Sequence, residues 1–248
     1  MEIRIKREDL LRGVGAAQGI VPRKSTLPIL SNLLLEANAT GTLVFSATDL
    51  DVSVRVSTTA EVAVAGAVTV PARELHDIAR NLPGTELLLR RLDNQHVELV
   101  SGRVKYRLVG LSPEEYPAFV DVSAVPMLTL EAALLREVID CTLYCASVDE
   151  ARPMLNGVYV EPDDAALAFV ATDGHRLSVC TRKVPDARAM VPHALIMPRK
   201  GLAELRRLLD DGRGDLALGF SDTHAVTRQD GVQITMRLVD GRYPDYRA

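Results

Sequence analysis

Residues 2–6 alternate apolar and polar side chains as a half-buried strand does, and residues 7–20 then carry Leu10, Leu11, Val14 and Ala17 at helical spacing. Strand-like runs follow near 29–37, 42–48 and 51–59. Another run at 66–71 leads into a helical pattern at 72–82, apolar at Leu75, Ile78, Ala79 and Leu82, and into runs at 85–91, 96–100 and 103–109. The order then returns: a strand at 127–130, a helix at 131–146 and runs near 155–160, 166–172 and 175–182; a strand near 194–197, a helix at 198–209 and runs near 215–220, 223–228 and 231–239. Asn38-Ala-Thr-Gly41, Asp163-Asp164, Asp211-Gly212 and Asp230-Gly231 separate them as turn signals. The unit strand-helix-strand-strand-strand therefore occurs four times. Consecutive strands imply antiparallel sheets, and each helix must lay its apolar stripe on one of them, which makes the fold class α+β.

The residues themselves repeat at a longer period. Phe45, Ala47, Thr48 and Asp49 recur at Phe169, Ala171, Thr172 and Asp173, an offset of 124 in a chain of 248. Pro71-Ala-Arg73 before one helix returns as Pro198-Arg-Lys200 before another, and Arg107-Leu-Val109 with Tyr116-Pro117 returns as Arg237-Leu-Val239 with Tyr243-Pro244. Two similar domains are expected, residues 1–120 and 121–248, joined near Phe119–Pro126 where the patterning lapses.

Composition narrows the classes. A 47% hydrophobic and 25% charged chain can bury a sizeable core. No apolar run approaches the roughly 20 residues of a membrane helix, and MEIRIKREDLL lacks a signal core, so a cytoplasmic location is the expectation. Cys141, Cys145 and Cys180 have neither disulfide-framework parity nor metal spacing. Cys141 and Cys145 are expected on one helix with Leu134 and Val138, as small buried hydrophobes. The net charge of -4 argues against a protein coated with nucleic acid, but leaves room for a basic face on an acidic body.

Such faces are visible on the helices. Leu202, Leu205 and Leu209 point inward from the helix at 198–209, leaving Arg199 and Arg206, and Lys200 and Arg207, seven apart along a basic stripe. Arg73, His76 and Arg80 follow i, i+3, i+7 spacing, and Arg7, Arg12, Lys24 and Arg136 add to the set. These cations suit phosphate contacts, whereas no helix-turn-helix, zinc finger or aromatic platform is present to read bases. Solvated surface charge is the competing explanation for each.

Thr172-Asp173-Gly174-His175-Arg176 puts a carboxylate beside a histidine, the raw material of acid–base catalysis. Its copy, Thr48-Asp49-Leu50-Asp51, has no histidine, so a strand-end turn with Thr and Asp bonding to backbone explains both better. With no Gly-rich phosphate loop, nucleophile elbow or metal cluster, neither catalysis nor a cofactor is expected.

Several segments together resemble the bacterial DNA polymerase III beta subunits, the sliding-clamp family. They are Thr26-Leu-Pro-Ile-Leu-Ser-Asn-Leu-Leu-Leu35, Val70-Pro-Ala-Arg73, Leu155-Asn-Gly157, Ala171-Thr-Asp-Gly-His-Arg-Leu177, Pro198-Arg-Lys-Gly201 and Leu238-Val-Asp-Gly-Arg-Tyr-Pro-Asp-Tyr-Arg247, in order along the whole chain. The resemblance implies the DNA clamp fold, in two tandem domains that each carry two helices on antiparallel sheets. It implies a non-enzymatic processivity factor: a ring of six such domains around duplex DNA, helices lining the hole, contacting phosphates without reading sequence. Family members reach six by pairing three-domain chains; here the N-terminal and central domains are matched and the third is not. A piece of a longer clamp, a peptide-binding module that does not encircle DNA, and a ring of three two-domain copies are the three readings of that count.

The resemblance also assigns residues. DNA contact falls to Lys24 and Arg73, in line with the helix cations Arg80, Arg199, Lys200 and Arg206. It extends to a loop with Asp149, Pro153 and Met154, where the family often has polar or aromatic residues and where Asp149 would repel phosphate. Short linear peptides from the polymerase, the clamp loader and repair proteins would enter a groove of Arg152, Leu155, Thr172, Gly174, His175, Arg176, Leu177 and Pro244. At the next groove position the family usually has Arg and this sequence has Ala248.

Overall fold

A computed structural model describes the chain except residues 23–24, 150, 186, 192, 210–212 and 248. It divides into two compact units, Met1–Val120 with Asp230–Gln233, and Asp121–Gln229 with Ile234–Ala248.

The first unit runs β1 (Glu2–Lys6), α1 (Arg7–Gln18), β2 (Asn32–Ala37), β3 (Thr42–Thr48), β4 (Val52–Thr59), β5 (Glu61–Val64), β6 (Gly66–Pro71), α2 (Ala72–Asn81), β7 (Glu86–Arg91), β8 (His96–Ser101) and β9 (Val104–Val109). The second runs β10 (Met127–Glu131), α3 (Ala132–Thr142), β11 (Gly157–Pro162), β12 (Ala166–Thr172), β13 (Leu177–Lys183), α4 (Ala187–Met190), β14 (Leu195–Pro198), α5 (Arg199–Leu208), β15 (Asp215–Phe220), β16 (His224–Gln229) and, from Ile234 on, β17 (Val232–Arg237). The fourfold unit of the sequence is thus present, with β5 and the one-turn α4 inserted. Glu61–Val64 escaped the pattern because three of its four side chains are exposed and no apolar alternation marks it.

Each unit exchanges the first strands of its two repeats. β1 pairs antiparallel with β7 and extends β7-β8-β9, whereas β6 pairs with β2 and extends β4-β3-β2. β10 joins β15-β16-β17 and β14 joins β13-β12-β11 in the same manner. Neither repeat can complete a sheet alone, which explains why the smallest compact body is a pair of repeats.

The cores follow the predicted faces of α1, α2 and α5, where Leu10, Val14, Ala17, Leu75, Ala79, Leu202 and Leu205 are buried; on α3 the face is shifted, with Val138 buried beside Leu135 and Ile139 and Leu134 only half-buried. Helix α1 lies so close to β3 that a Cβ on Gly13 would sit 2.4 Å from the Phe45 ring. The repeated Tyr-Pro dipeptides are matching anchors. Tyr116 is buried with Ile29, Leu30 and Leu34 and donates to the Asn32 carbonyl (3.2 Å); Tyr243 is buried with Leu155, Val170 and Ile196 and donates to the Val170 carbonyl (3.4 Å).

The cysteine expectation needs correction. Helix α3 ends at Thr142, and Leu143–Cys145 continue as a 3₁₀ turn. Cys145 is buried in that turn, whereas Cys141 lies on α3 off its buried face of Leu135, Val138, Ile139 and Thr142 and is exposed.

Candidate functional site

The turns after β3 and β12 are built bond for bond alike. In the first, the Thr48 hydroxyl donates to the Val52 carbonyl (3.1 Å) and accepts from the Leu50 amide (3.0 Å), while Asp49 Oδ1 accepts from the Asp51 and Val52 amides. In the second, the Thr172 hydroxyl donates to the Arg176 carbonyl (2.7 Å) and accepts from the Gly174 amide (3.1 Å), while Asp173 Oδ1 accepts from the His175 and Arg176 amides. The third residue is left-handed in both, with φ +84° at Leu50 and +92° at Gly174, a conformation that costs leucine strain and glycine none. Thr172 and Asp173 are therefore the frame of a turn, with both Asp173 oxygens engaged by the loop's own donors.

That frame displays its loop. Gly174, His175, Arg176 and Leu177 are all exposed, and Arg176 is held both by Asp173 Oδ2 (2.9 Å) and over the Tyr144 ring (5.7 Å). Amide donation from His175 and Arg176, with the Arg176 guanidinium, lowers the Asp173 carboxyl from 3.8 to about 2. A depressed carboxyl stabilises the fold above its ordinary value and loses that contribution as pH falls through the depressed one. The loop should thus keep its order from neutrality to below pH 3.8 and loosen only as pH approaches 2. Amide chemical shifts of His175 and Arg176 followed through an acid titration check this; a midpoint near 3.8 would contradict the turn's geometry.

Of the other predicted groove residues in the second unit, Arg152 reaches this loop, while Leu155 and Pro244 lie in other clusters. Arg152 Nη1 lies 3.1 Å from where a Gly174 Cβ would be, so the missing side chain makes room for the guanidinium. Leu155 is buried on Val170, Ile196 and Tyr243, with Met154, Tyr159, Val239 and Tyr246 packed around them. Pro244 follows Tyr243 but lines a separate cleft of about 590 Å³ with Tyr159, Glu161, Tyr246 and Arg247. The sequence did not single out this cluster. Tyr159 stacks on Tyr243 (4.7 Å between centroids), and Glu161 accepts from both Tyr246 (2.7 Å) and Arg247. Hydrogen bonds from Arg247 and Tyr246 hold the Glu161 carboxyl below its usual range, while burial and Glu161 push the Tyr246 hydroxyl up to about 12.

The loop assigned weakly to DNA carries its own ion pair. Asp149 binds Arg152 Nε (2.9 Å), and the Ala151 amide and Arg152 lower its carboxyl. Pro153 is exposed and Met154 is half-buried in the apolar cluster.

The helix cations divide by environment. Arg73 and Arg80 of α2 and Lys200 of α5 are exposed, and Arg199 is half-buried with its Nε lacking a hydrogen-bond partner among the described residues. Arg206 is paired across to Asp140 of α3, and Arg207 to Glu204 (2.9 Å), so the stripe read from the sequence is partly neutralised in place. Arg7 donates to the Leu82 carbonyl and Arg12 to Asp9 (3.3 Å) and Thr58 (3.1 Å), which ties both to the first unit's own structure. Glu204–Arg207 and Asp9–Arg12 are i, i+3 pairs that spacing allows, whereas Asp140 meets Arg206 from another helix, which spacing cannot disclose. Lys24 and Ala248 lie outside the described residues.

Comparison with known proteins adds independent findings. The family described as DNA polymerase III beta subunit, N-terminal domain, matches residues 1–120, and the central domain of the same subunit matches residues 129–245. The beta sliding clamp of Escherichia coli strain K12 is 36% identical over 252 residues, covering 100% of this chain and 67% of that protein. Among solved structures, Caulobacter crescentus pol III beta superposes with a TM-score of 0.93 at 33% identity, covering 100% of this chain and 68% of that one. A sliding clamp from Bartonella birtlesii bound to griselimycin gives a TM-score of 0.92 at 36% identity, covering 100% and 67%. The chain spans about two-thirds of the length of these relatives.

Proposed function

Because the chain belongs to the DNA polymerase III beta subunit family, the beta sliding clamps, which are non-catalytic processivity factors of replication, we propose that it works as part of a ring around duplex DNA and tethers partners by their peptides. The observation that carries this is the match of both units, in order, to the N-terminal and central clamp domains. On this reading residues 1–120 and 121–248 are those two domains, and the site of action is the replicating chromosome in the cytoplasm. No helix among the described residues is long and apolar enough to cross a membrane.

Two surfaces share the work. The exposed cations Arg73 and Arg80 of α2 and Lys200 of α5, together with half-buried Arg199, meet phosphates; Arg206 joins them by exchanging Asp140 for a phosphate oxygen. Lys24 completes the set, and Asp149, Pro153 and Met154 contribute least, since Asp149 is acidic and already bound to Arg152. Loose phosphate contact without base readout lets a ring slide. Partner peptides from the polymerase, the clamp loader and repair proteins lie along Arg152, Leu155, Thr172, Gly174, His175, Arg176, Leu177 and Pro244. Apolar peptide anchors meet Leu177 and the Leu155 cluster, with the Arg152 and Arg176 guanidiniums as a polar rim. Griselimycin bound to related clamps is consistent with such a groove.

Encirclement and charge contact have separate readouts. Loaded by its clamp loader, the protein should stay on nicked circular DNA at moderate salt and be lost when the circle is linearised; equal loss from both would refute the ring. At low salt, Arg73→Ala combined with Arg199→Ala should weaken binding to a short duplex and lower the salt slope by about 0.9 for each phosphate contact removed. An unchanged slope would reduce these cations to solvated surface charge.

A further inference from the structure

Helix α3 and strand β13 meet along a seam whose side chains match in order. Glu137 and Cys141, four apart, share one face of α3. Ser178, Cys180 and Arg182 alternate onto one face of β13. Arg182 pairs with Glu137 at one end of the seam, and the Ser178 hydroxyl donates to the Cys141 carbonyl (2.5 Å) at the other. Between these two contacts the remaining pair is Cys141 and Cys180. Burial pushes the Cys180 thiol up, Arg182 pulls it down, and the neighbouring Cys141 raises it again. Cys141 is exposed, whereas Cys180 is 6% exposed.

We propose that Cys141 and Cys180 form a hydroperoxide-sensitive dithiol that closes to an intramolecular disulfide between α3 and β13. The exposed thiol reacts first and the buried one resolves it. The Cys141 thiolate attacks one oxygen of hydrogen peroxide and breaks the O–O bond, leaving a sulfenic acid at Cys141 and, after protonation, one water. The Cys180 sulfur then attacks the Cys141 sulfur, and its proton leaves with the displaced hydroxide as a second water. Two thiols lose two electrons, and one peroxide becomes two waters. Cys145, buried beyond the end of α3, takes no part. The bond would tie the helix to the strand that begins at Leu177, three residues from Cys180. This inference stands on the seam alone and does not depend on the clamp reading.

The test is treatment of the folded full chain with hydrogen peroxide, followed by denaturation, alkylation and mass spectrometry. The expected product has lost two hydrogens, retains one alkylatable thiol at Cys145, and yields a linked pair of peptides holding Cys141 and Cys180. In Cys180→Ser the reaction should stop at a Cys141 sulfenic acid that dimedone traps; in Cys141→Ser the monomer should gain no disulfide. Cys180 remaining alkylatable while Cys141 proceeds to sulfinic acid, or a dimer linked through Cys141, would overturn the proposal, as would three thiols that all survive the peroxide.

Discussion

Leu177→Ala should weaken binding of a short fluorescent peptide with apolar anchors about tenfold and leave the thermal stability of the protein nearly unchanged. Leu177 opens β13 and is 48% exposed, so little of the core depends on it, and a docking peptide would bury the remaining half. Covering and then losing about half of a leucine side chain is worth on the order of 1 kcal/mol, close to the 1.4 kcal/mol that corresponds to tenfold in affinity. His175→Ala should act in the same direction, since His175 sits on the same displayed turn. Leu155 is a poorer probe: at 7% exposure it belongs to the core around Tyr243, and its removal would confound affinity with stability. Peptide affinity within twofold of the unsubstituted protein for both Leu177→Ala and His175→Ala would remove the groove from this loop. Any new turnover activity lost specifically in His175→Ala would reopen the enzymatic reading that the turn geometry argues against.

That geometry was partly legible in the sequence. The repeated Phe-x-Ala-Thr-Asp motif signalled a turn because its two copies differ where a catalytic pair must not, and the shared hydrogen-bond pattern bears this out. Helix faces, the fourfold order of elements and the paired Tyr-Pro anchors were likewise readable, since each rests on periodicity or on repeated residues. What escaped depends on contacts between distant residues. Arg206 looked like surface charge because Asp140, its partner, lies 66 positions away on α3. Cys141 looked buried because a stripe was drawn through Leu134, Val138 and Cys145, whereas the buried face of α3 is Leu135, Val138, Ile139 and Thr142. The cluster of Tyr159, Glu161, Tyr246 and Arg247 joins β11 to a segment 85 positions later, with no local pattern to mark it. β5 offered only exposed and half-exposed side chains, so its place beside β1 is a property of the sheet and not of its own composition.

Phe45→Ala should destabilise the first unit by about 3–5 kcal/mol, the range for removing a fully buried phenylalanine. Phe45 has no exposed surface, and its ring occupies the space that α1 leaves by having glycine at position 13. Gly13→Ala approaches the same contact from the other side: a methyl 2.4 Å from the ring forces helix and strand apart, at a cost of about 1–3 kcal/mol. If one shared space underlies both effects, they cannot add. In the double variant the new methyl enters the volume the ring vacated, so the pair should be less destabilised than the two single losses together, and by at least about 0.5 kcal/mol. Urea unfolding of the four proteins measures the coupling; strict additivity would mean that the close approach of α1 to β3 does not exist in solution. Phe169→Ala supplies the complementary case, since Phe169 holds the equivalent place on β12 at 2% exposure. Hydrogen exchange should quicken chiefly within residues 1–120 for Phe45→Ala and chiefly within residues 121–229 for Phe169→Ala, because each ring belongs to the core of its own compact unit. Equal acceleration in both units for either variant would show that the two units unfold as one cooperative body, although each has a core of its own.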